Sequence, residues 1–218
     1  MALRFIVTAG PTREYLDPVR FLSNPSTGRM GFAVARAARA AGHQVTLVAG
    51  PVALRTPRGV LRIDVVSARE MLAAVRRALA AERTSSALVM TAAVADWRPA
   101  SCAARKLKKS GMDGTLRLVR NPDILRSLGS KAPGDIRIGF AAETGDPAAE
   151  AVRKCRAKHL DLIVANDVTQ PGAGFGVKTN RVAFAFPDGR VDRLPLMSKD
   201  AVARRIVRFA EHLAEEGR

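Results

Sequence analysis

A short turn of small and hydroxyl-bearing residues precedes an alanine-rich segment near the start of the sequence. Ser26, Thr27 and Gly28 lead into Arg29, Met30 and a run typical of a helix. The first backbone N–H groups of a helix have no intrahelical partners and lie at the positive end of the helix dipole, so they attract anions. The turn therefore predicts a phosphate-binding site, and a plain capping turn is an equally good interpretation of these residues alone.

Another candidate site follows an apolar segment that is predicted to be a strand. Its end at Met90, Thr91 and Ala92 leads into a run of small residues that finishes at Asp96. Ligands of α/β proteins bind at the carboxyl edge of the sheet, where such a strand ends. Small side chains there let a ligand approach the backbone. The Asp96 carboxylate can accept hydrogen bonds from that ligand, or it can cap a turn.

A compact basic run, Arg105-Lys106-Leu107-Lys108-Lys109, is followed by Ser110-Gly111, a pair typical of loops. Charge runs are commonly solvated faces. This run is short and lies downstream of a predicted sheet edge, so it also suits a loop that closes over a triphosphate.

Three further features are candidate parts of a ligand site. Residues 121–124, Asn-Pro-Asp-Ile, form a turn that opens a predicted helix and offers an acceptor and free N–H groups. Lys154 and Lys158 are four residues apart and share one face of a predicted helix, where they could receive phosphate. Two solvated lysines are the simpler interpretation of that pair. Phe140 ends a predicted strand and is more typical of a core than of a site.

Short apolar segments that could position these residues alternate with amphipathic ones through most of the chain. Strands are predicted at residues 4–9, 45–49, 87–92, 136–141 and 160–165, and helices at 30–41, 67–79 and 147–158. This alternation is typical of a parallel sheet with right-handed helical crossovers. We expect an α/β fold with a Rossmann-like parallel sheet flanked by helices.

The C-terminal part of the sequence has a different pattern. Alternating apolar residues at 182–186 precede Pro187-Asp188-Gly189, which is a strong hairpin turn signal. Ser198 then begins a helix with a single apolar stripe. We predict one domain over residues 1–218, with an appended C-terminal β-hairpin and helix.

The composition argues against several classes of protein. No apolar run approaches the roughly 20 residues of a membrane-spanning helix, and the first residues resemble a strand more than a signal peptide, so we expect a cytoplasmic protein without a membrane partner. Cys102 and Cys155 have no neighbouring ligand pattern, which argues against a zinc site or a disulfide framework. The net charge of +16 could favour nucleic acid. However, tyrosine and tryptophan occur once each, which leaves few stacking platforms, and no nucleic-acid partner is expected.

An NADP-dependent reductase is the alternative function on such a sheet. The first predicted strand ends at Gly10 without the glycine spacing of a dinucleotide fold. The second ends at Ala49-Gly50-Pro51, where no acidic residue can hold the ribose 2′-hydroxyl of NAD. Arg55 could face the 2′-phosphate of NADP, so this alternative stays open.

These segments, taken in order, resemble one family, phosphopantothenoylcysteine synthetase. The resemblance covers the chain from Ile6 to about Lys199. The matching segments are Thr8-Ala9-Gly10-Pro11-Thr12-Arg13-Glu14, Asp17-Pro18-Val19-Arg20, Ser23-Asn24, Ser26-Thr27-Gly28-Arg29-Met30-Gly31, Ala92-Ala93-Val94-Ala95-Asp96-Trp97-Arg98, Lys106-Leu107-Lys108-Lys109, Asn121-Pro122-Asp123-Ile124, Gly139-Phe140-Ala141-Ala142-Glu143-Thr144 and Ala165-Asn166-Asp167. So many ordered matches make the resemblance specific.

The resemblance implies a ligase of coenzyme A biosynthesis. Bacterial members activate the carboxylate of 4′-phosphopantothenate with CTP, release pyrophosphate, and let the amine of L-cysteine displace CMP from the acyl-cytidylate. This chemistry implies Mg²⁺ with the triphosphate, and it depends on positioning and charge stabilisation more than on a nucleophilic side chain. Bacterial members are often fused behind a flavin-containing decarboxylase, which this sequence does not carry, so no flavin is expected.

The resemblance also implies roles for individual residues. Lys106 matches a lysine that acts in acyl-cytidylate formation, and Asn24 matches an asparagine that acts in its conversion. Arg20 matches an arginine near the subunit boundary of a homodimer. The turn at 26–28 is assigned to the substrate phosphate, and no residue is assigned to a metal. The positions that match the nucleotide pocket are Met90, Thr91 (in place of an expected alanine), Ala92, Asp96, Lys106, Pro122, Asp123, Ile124, Leu125, Phe140, Lys154 and Lys158.

A homodimer is therefore expected. The apolar stripe of the last helix and the C-terminal hairpin are two candidate surfaces for it.

Overall fold

The structure, a computed structural model, describes residues 2–81, 84–108, 114–146 and 148–216. Within these ranges the strands are β1 (Arg4–Ala9), β2 (Arg13–Tyr15), β3 (Phe21–Ser23), β4 (Gln44–Ala49), β5 (Leu61–Asp64), β6 (Ser86–Met90), β7 (Trp97–Pro99), β8 (Leu118–Arg120), β9 (Ile136–Glu143), β10 (Leu162–Asp167), β11 (Thr179–Asn180), β12 (Val182–Ala185), β13 (Val191–Arg193) and β14 (Met197–Ser198). The helices are α1 (Arg29–Ala40), α2 (Ala68–Ala80), α3 (Ile124–Ser127), α4 (Ala148–Ala157) and α5 (Lys199–Glu216).

The central sheet has eight strands in the order β13-β12-β10-β9-β6-β1-β4-β5. All neighbouring strands from β5 through β10 in this order pair in parallel. The chain winds from β1 outwards to β5, returns to β6 on the other side of β1, and continues outwards to β10. This doubly wound order is that of a Rossmann-like fold, and it confirms the predicted fold class.

The predicted C-terminal hairpin extends the central sheet. β12 pairs antiparallel with β10, and β13 pairs antiparallel with β12. The turn between them lies at the predicted Pro187-Asp188-Gly189, where the Gly189 N–H donates to the Phe186 carbonyl at 3.1 Å. The hairpin covers the edge of β10, which would otherwise present unpaired backbone groups.

Different helices cover the two faces of the sheet. Phe5 and Val7 of β1 belong to the apolar cluster formed with α1 and α5, whereas Ile6 belongs to the cluster under α2. Successive side chains of a strand point to opposite faces, so one strand serves both clusters. Because both faces are buried, the strands of the parallel region are nearly continuous in apolar residues.

The apolar stripe of the last helix is used inside the chain. Val202 and Ile206 of α5 are fully buried, and α5 packs along α1. Arg36 of α1 and Asp200 of α5 form an ion pair at 2.5 Å on the exposed side of this contact. The stripe therefore belongs to the core, which corrects its expected use as a dimer surface. In the described part of the chain, no helix, α5 included, has the length and apolar character needed to cross a membrane.

Capping signals in the sequence set the ends of two helices. The Ser67 hydroxyl accepts from the Glu70 N–H at 3.2 Å and caps α2, as the Ser-x-x-Glu spacing predicts. Gly42 follows α1 with a φ of 89°, a left-handed conformation that glycine adopts without strain.

Strand β5 and two small hairpins, β2–β3 and β7–β8, have no counterpart in the sequence prediction. Their strands are only three or four residues long, which is too short for an alternating pattern to stand out. The hairpins follow the ends of β1 and β6, and β2 contacts β7. They therefore form one structural unit beside the carboxyl edge of the sheet.

Candidate active site

A cleft of about 870 Å³ opens at the carboxyl edge of the parallel strands. Its walls come from the ends of β6 and β9, the turn before α1, one side of α4 and the beginnings of α3 and α5. The winding direction of the sheet reverses between β1 and β6, and doubly wound sheets bind their ligands at this point. The volume lies within the range of small-molecule sites.

Most residues predicted for the site line this cleft. They come from separate parts of the sequence, because the loops that follow parallel strands meet at one edge of a sheet. The predicted residues in the lining are Asn24, Ser26, Thr27, Gly28, Met90, Thr91, Ala92, Asp96, Pro122, Asp123, Ile124, Leu125, Phe140, Lys154 and Lys158. Arg20 and Lys106 lie outside the lining.

The turn before α1 presents uncapped backbone amides. Gly28 is the N-cap residue, with a φ of 75° and no side-chain cap hydrogen bond. Thr27 Oγ1 instead donates to the Phe175 carbonyl at 2.8 Å, and Ser26 Oγ accepts from the Gly28 N–H at 3.4 Å. A plain capping turn therefore does not describe this geometry, and the positive end of α1 is open to an anion.

A second glycine brings α1 close to the sheet. A Cβ atom on Gly31 would lie 2.5 Å from the Ala9 Cβ and 2.5 Å from the Thr91 Oγ1. Only glycine fits that separation without movement of the backbone. The close approach sets the turn at 26–28 directly against the end of β6.

Hydrogen bonds from neighbouring segments hold the loop after β6. Thr91 Oγ1 donates to the Thr8 carbonyl at 2.6 Å, and the Ala92 N–H donates to Thr8 Oγ1 at 3.2 Å. Asn24 Nδ2 donates to the Ala93 carbonyl at 3.1 Å. The Thr91 hydroxyl, where the resemblance implied alanine, thus has a partner within the protein.

Two predicted lysines in the lining are each paired with a carboxylate. Lys158 Nζ lies 2.9 Å from Asp123 Oδ2, and Lys154 Nζ lies 2.5 Å from Glu143 Oε1. Burial opposes the ionisation of Asp123, but the hydrogen bonds from Lys158 and from the Arg126 N–H outweigh it and lower the pKa. Burial also opposes the charge of Lys154, but the hydrogen bonds and negative charges of Glu143 and Glu150 together outweigh that effect and raise the pKa. A phosphate that enters here must share these lysines with the carboxylates.

Arg20 and Lys106 lie near each other beside the cleft. The Arg20 guanidinium donates to Asp17 Oδ2 at 2.5 Å and to the Leu107 carbonyl at 3.0 Å, and Asp17 also accepts from the Leu107 N–H at 3.1 Å. The hydrogen bond from Arg20 is the largest cause that holds the pKa of the buried Asp17 carboxyl well below its usual range. This pair anchors the basic loop next to the exposed Lys106, whereas Lys109 lies outside the described residues.

Three buried polar residues in the lining were not among the predicted site residues. Asn166 and Asn180 are 8% and 4% exposed, and the Oδ1 atom of each has no hydrogen-bond partner. Lys199 is 6% exposed and donates to the Gly174 carbonyl at 2.8 Å. Asn166 lies in a segment of the resemblance to which no role was attached. Lys199 begins α5, where a charged residue is typically solvated, so the sequence around it carries no signal of a site.

The lining has no evident metal cage. Among the described residues, no three His, Cys, Asp or Glu side chains form a group that could hold an ion. Asp96 lines the cleft and is exposed, and the other two carboxylates of the described lining, Asp123 and Glu143, pair with lysines.

Comparison with known proteins shows the family to which this chain belongs. Residues 2–213 match the family described as the DNA/pantothenate metabolism flavoprotein C-terminal domain. The chain is 47% identical over 212 residues to the coenzyme A biosynthesis bifunctional protein CoaBC of Bacillus subtilis, with 97% of the chain and 52% of the relative covered. It is 46% identical over 217 residues to CoaBC of Vibrio cholerae, with 98% and 52% covered.

The chain thus spans about half the length of the curated relatives it matches. Among solved structures, the C-terminal domain of a CoaBC protein superposes with a TM-score of 0.82 at 39% identity, with 98% of this chain and 96% of that chain covered. The family match over nearly the whole chain and this close structural agreement lead to one conclusion. The chain belongs to the family of DNA/pantothenate metabolism flavoprotein C-terminal domains.

Proposed function

We propose that this chain acts in the cytoplasm as a ligase that joins 4′-phosphopantothenate to L-cysteine, with CTP as the activating nucleotide, in coenzyme A biosynthesis. Membership of the family and 47% identity to a coenzyme A biosynthesis protein support the proposal. The observation that carries it is one cleft that combines an uncapped helix N-terminus with charged lysines. Among the described residues its lining includes no histidine or cysteine. Such a site suits a reaction that depends on positioning and on stabilisation of phosphate charge.

The reaction has two steps. In the first, a carboxylate oxygen of phosphopantothenate bonds to the α-phosphorus of CTP, and pyrophosphate leaves with the electrons of the broken P–O bond. In the second, the neutral amine of cysteine attacks the acyl carbon, CMP leaves with the electrons of the broken C–O bond, and the nitrogen loses a proton to solvent. Neither step is a redox reaction, so the proposal involves no flavin.

Lys106 and Asn24 are proposed to serve different steps. Charge develops on the phosphates during activation, and an exposed ammonium on a basic loop can balance it. Asn24 lines the cleft, and one N–H of its side-chain amide donates to the Ala93 carbonyl. The second N–H of that amide can donate to the acyl oxyanion of the second step.

The two substrates are proposed to occupy different walls. The turn at 26–28, together with the first amides of α1, which have no side-chain cap, suits the phosphate of phosphopantothenate. The proposed nucleotide wall comprises Met90, Thr91, Ala92, Asp96, Pro122, Asp123, Ile124, Leu125, Phe140, Lys154 and Lys158, with Lys106 closing over it.

Mg²⁺ is proposed to enter on the triphosphate of CTP. The lack of a metal cage among the described residues fits this, because Mg²⁺ in nucleotide sites is commonly held by phosphates and only one or two carboxylates. In the lining, Asp123 and Glu143 are engaged by lysines, so Asp96 is the carboxylate that could reach such an ion without losing an ion pair. When bound, the ion would neutralise charge on the triphosphate.

A homodimer is also proposed. Arg20 lies outside the cleft of its own chain, as expected for a residue that completes the site of a partner. Around it, Val19 and Phe21 are 57% and 38% exposed, and Trp97 and Leu118 on the adjacent hairpin are 45% and 39% exposed. The two hairpins contact each other through β2 and β7, and an exposed apolar patch on such a unit is typical of a protein interface.

An NADP-dependent reductase has less support. Arg55, the residue that could face a 2′-phosphate, does not line the cleft. Direct binding of NADPH and CTP to the protein, measured by calorimetry, would distinguish the two functions, because a CTP-dependent ligase has no site for NADPH.

The proposed function is tested by product formation with phosphopantothenate, cysteine and Mg²⁺, with CTP and ATP run side by side. We expect pyrophosphate release and a cysteine amide, detected by mass spectrometry, with CTP as the better nucleotide. Omission of cysteine is the control and should stop the reaction at the bound acyl-cytidylate. Absence of the amide with either nucleotide would contradict the proposed ligase.

A further inference from the structure

One corner of the cleft is formed by segment 174–180 and the beginning of α5. Lys199, the first residue of α5, is 6% exposed. Its Nζ donates to the carbonyls of Gly174 and Phe175 at 2.8 and 3.4 Å. Burial of an ammonium is costly unless charge and hydrogen bonds compensate it. Burial, together with repulsion from Arg29, lowers the pKa of Lys199 to about 8, so the side chain is still mostly charged at neutral pH.

The charges around Lys199 differ from those around the other cleft lysines. Lys154 and Lys158 have carboxylate partners within the lining. The main charge acting on Lys199 is that of Arg29, another cation. Lys199 and Arg29 thus place two positive charges beside the cleft, and among the described residues the buried Lys199 ammonium donates only to neutral carbonyls. An anionic ligand would compensate this excess of positive charge.

Asn180 provides an independent sign of a ligand in this corner. It lines the cleft, is 4% exposed, and has a buried Oδ1 without a hydrogen-bond partner. Buried polar atoms are nearly always satisfied, so an orphaned one in a cleft wall indicates that a ligand group completes it. A ligand hydroxyl or amide N–H could donate to this oxygen.

The corner is joined to the turn before α1. The Phe175 carbonyl accepts both from Thr27 Oγ1 at 2.8 Å and from Lys199 Nζ at 3.4 Å. The Phe175 carbonyl therefore links the turn before α1 to the first residue of α5, and both line the cleft. A single phosphate in that region could contact the turn amides and the Lys199 ammonium together.

We propose that Lys199 and Asn180 bind the phosphate-bearing end of the acyl substrate, a phosphate monoester with a hydroxyl and an amide in the same molecule. The inference rests on the proposed ligase function. Lys199 supplies a full positive charge to the phosphate, and Asn180 accepts from the hydroxyl or amide. The hydrogen bond between Thr27 and Phe175 sets the distance between Lys199 and the turn. Because the nucleotide is a second source of phosphate, the test has an arm for each substrate.

The test compares binding of three ligands by calorimetry: 4′-phosphopantothenate, unphosphorylated pantothenate and CTP. Lys199→Met removes the charge but keeps a long side chain in the buried position. Removal of a hydrogen bond to a charged group lowers affinity by about 10- to 100-fold. We expect this loss of affinity for phosphopantothenate only. Lys199→Arg should restore much of it. Lys178→Met, at an exposed lysine of the neighbouring segment, is the matched control and should bind all three ligands as the wild type does.

Two results would overturn the assignment. Equal affinity of wild type and Lys199→Met for phosphopantothenate would remove Lys199 from the site, and a loss confined to CTP would assign it to the nucleotide instead. If circular dichroism shows that Lys199→Met does not fold, the Asn180→Asp variant is tested instead. Its added negative charge must weaken the binding of phosphopantothenate more than the binding of pantothenate. A wild type that binds phosphopantothenate but forms no amide would refute the ligase function alone. A wild type that does not bind it would refute both.

Discussion

Lys154 and Lys158 lie 2.5 and 2.9 Å from carboxylates that also line the cleft, whereas Lys106 is exposed on a loop beside it. A lysine that already has a carboxylate partner gains less from an incoming phosphate, because part of its charge is compensated. Lys106 keeps its charge available for a phosphate that arrives or develops charge during the reaction. At the scale of single residues, this difference favours Lys106 for chemistry and the paired lysines for binding.

Lys106→Gln should abolish acyl-cytidylate formation without loss of folding. The side chain is exposed, so its removal opens no cavity, while the charge that balances the departing pyrophosphate is lost. We expect CTP affinity within about tenfold of wild type, because the other pocket residues remain. Pyrophosphate release in rapid-quench experiments measures the step. Lys108→Gln, two residues away and also exposed, is the control, and normal release by Lys106→Gln would refute the role.

Asn24→Ala should affect the second step more than the first. Loss of one donor to a developing oxyanion typically slows a reaction about 10²–10³-fold, so the variant should consume CTP once and retain acyl-cytidylate, visible by mass spectrometry. Asn24 also anchors its loop to the Ala93 carbonyl, so Ser23→Ala is the control: Ser23 anchors the same loop to the Thr12 carbonyl but does not line the cleft. An intact CTP pool with no intermediate would place Asn24 in binding or activation.

The buried charge of Lys199 should appear in the pH dependence of stability. Its pKa is lowered from 10.5 to about 8, so between these values the unfolded chain binds the proton that the folded chain has released. The free energy of unfolding of the wild type should therefore rise, relative to Lys199→Met, as pH increases from 8 towards 10.5. Below pH 8 the difference should be constant. Urea midpoints of both proteins across this range measure it, and a flat difference would show that burial does not oppose the charge.

At the scale of elements, the site depends on the position of α1 against β1 and β6. Gly28 supplies the left-handed N-cap conformation, and Gly31 permits the close approach to Ala9 and Thr91. The helix thereby brings its open amides to the end of the strand where the proposed nucleotide wall begins. The small hairpins after β1 and β6 act in a similar way, because they carry Arg20 and the basic loop to the same edge.

Gly31→Ala should destabilise the protein although alanine is the better helix former. In an isolated helix the change would stabilise by roughly 1 kcal/mol. Here the new Cβ would meet two side-chain atoms at 2.5 Å, and overpacking of this kind costs about 1–3 kcal/mol. Denaturant unfolding measures the sign. Gly176→Ala, where an added Cβ meets nothing within 4 Å, is the matched control, and equal behaviour of the two variants would refute the close approach.

At the scale of the whole molecule, the exposed apolar patch on the two hairpins predicts a dimer at micromolar concentration by light scattering. Val19→Glu places a charge in the patch, where Val19 is 57% exposed, and should shift the protein towards monomer because a buried unpaired charge is costly. Leu61→Glu, at a position 64% exposed on the far edge strand β5, should remain dimeric. A monomeric wild type that is fully active would refute the proposed assembly.

The sequence by itself determined the fold class, and most of the site residues predicted from it line the cleft. Continuous apolar strands and capped helices are local patterns, and segments such as Ser26-Thr27-Gly28 and Asn121-Pro122-Asp123 carry enough specific residues to be recognised without a structure. Only the tertiary structure decided which isolated residues join them. Lys199 and Asn180 reach the cleft through strand order and helix packing, and the Asp17–Arg20 pair reaches Leu107 across a distant loop. These contacts join residues far apart in the chain, and the order of strands in the sheet, rather than any pattern within one segment, sets which loops meet.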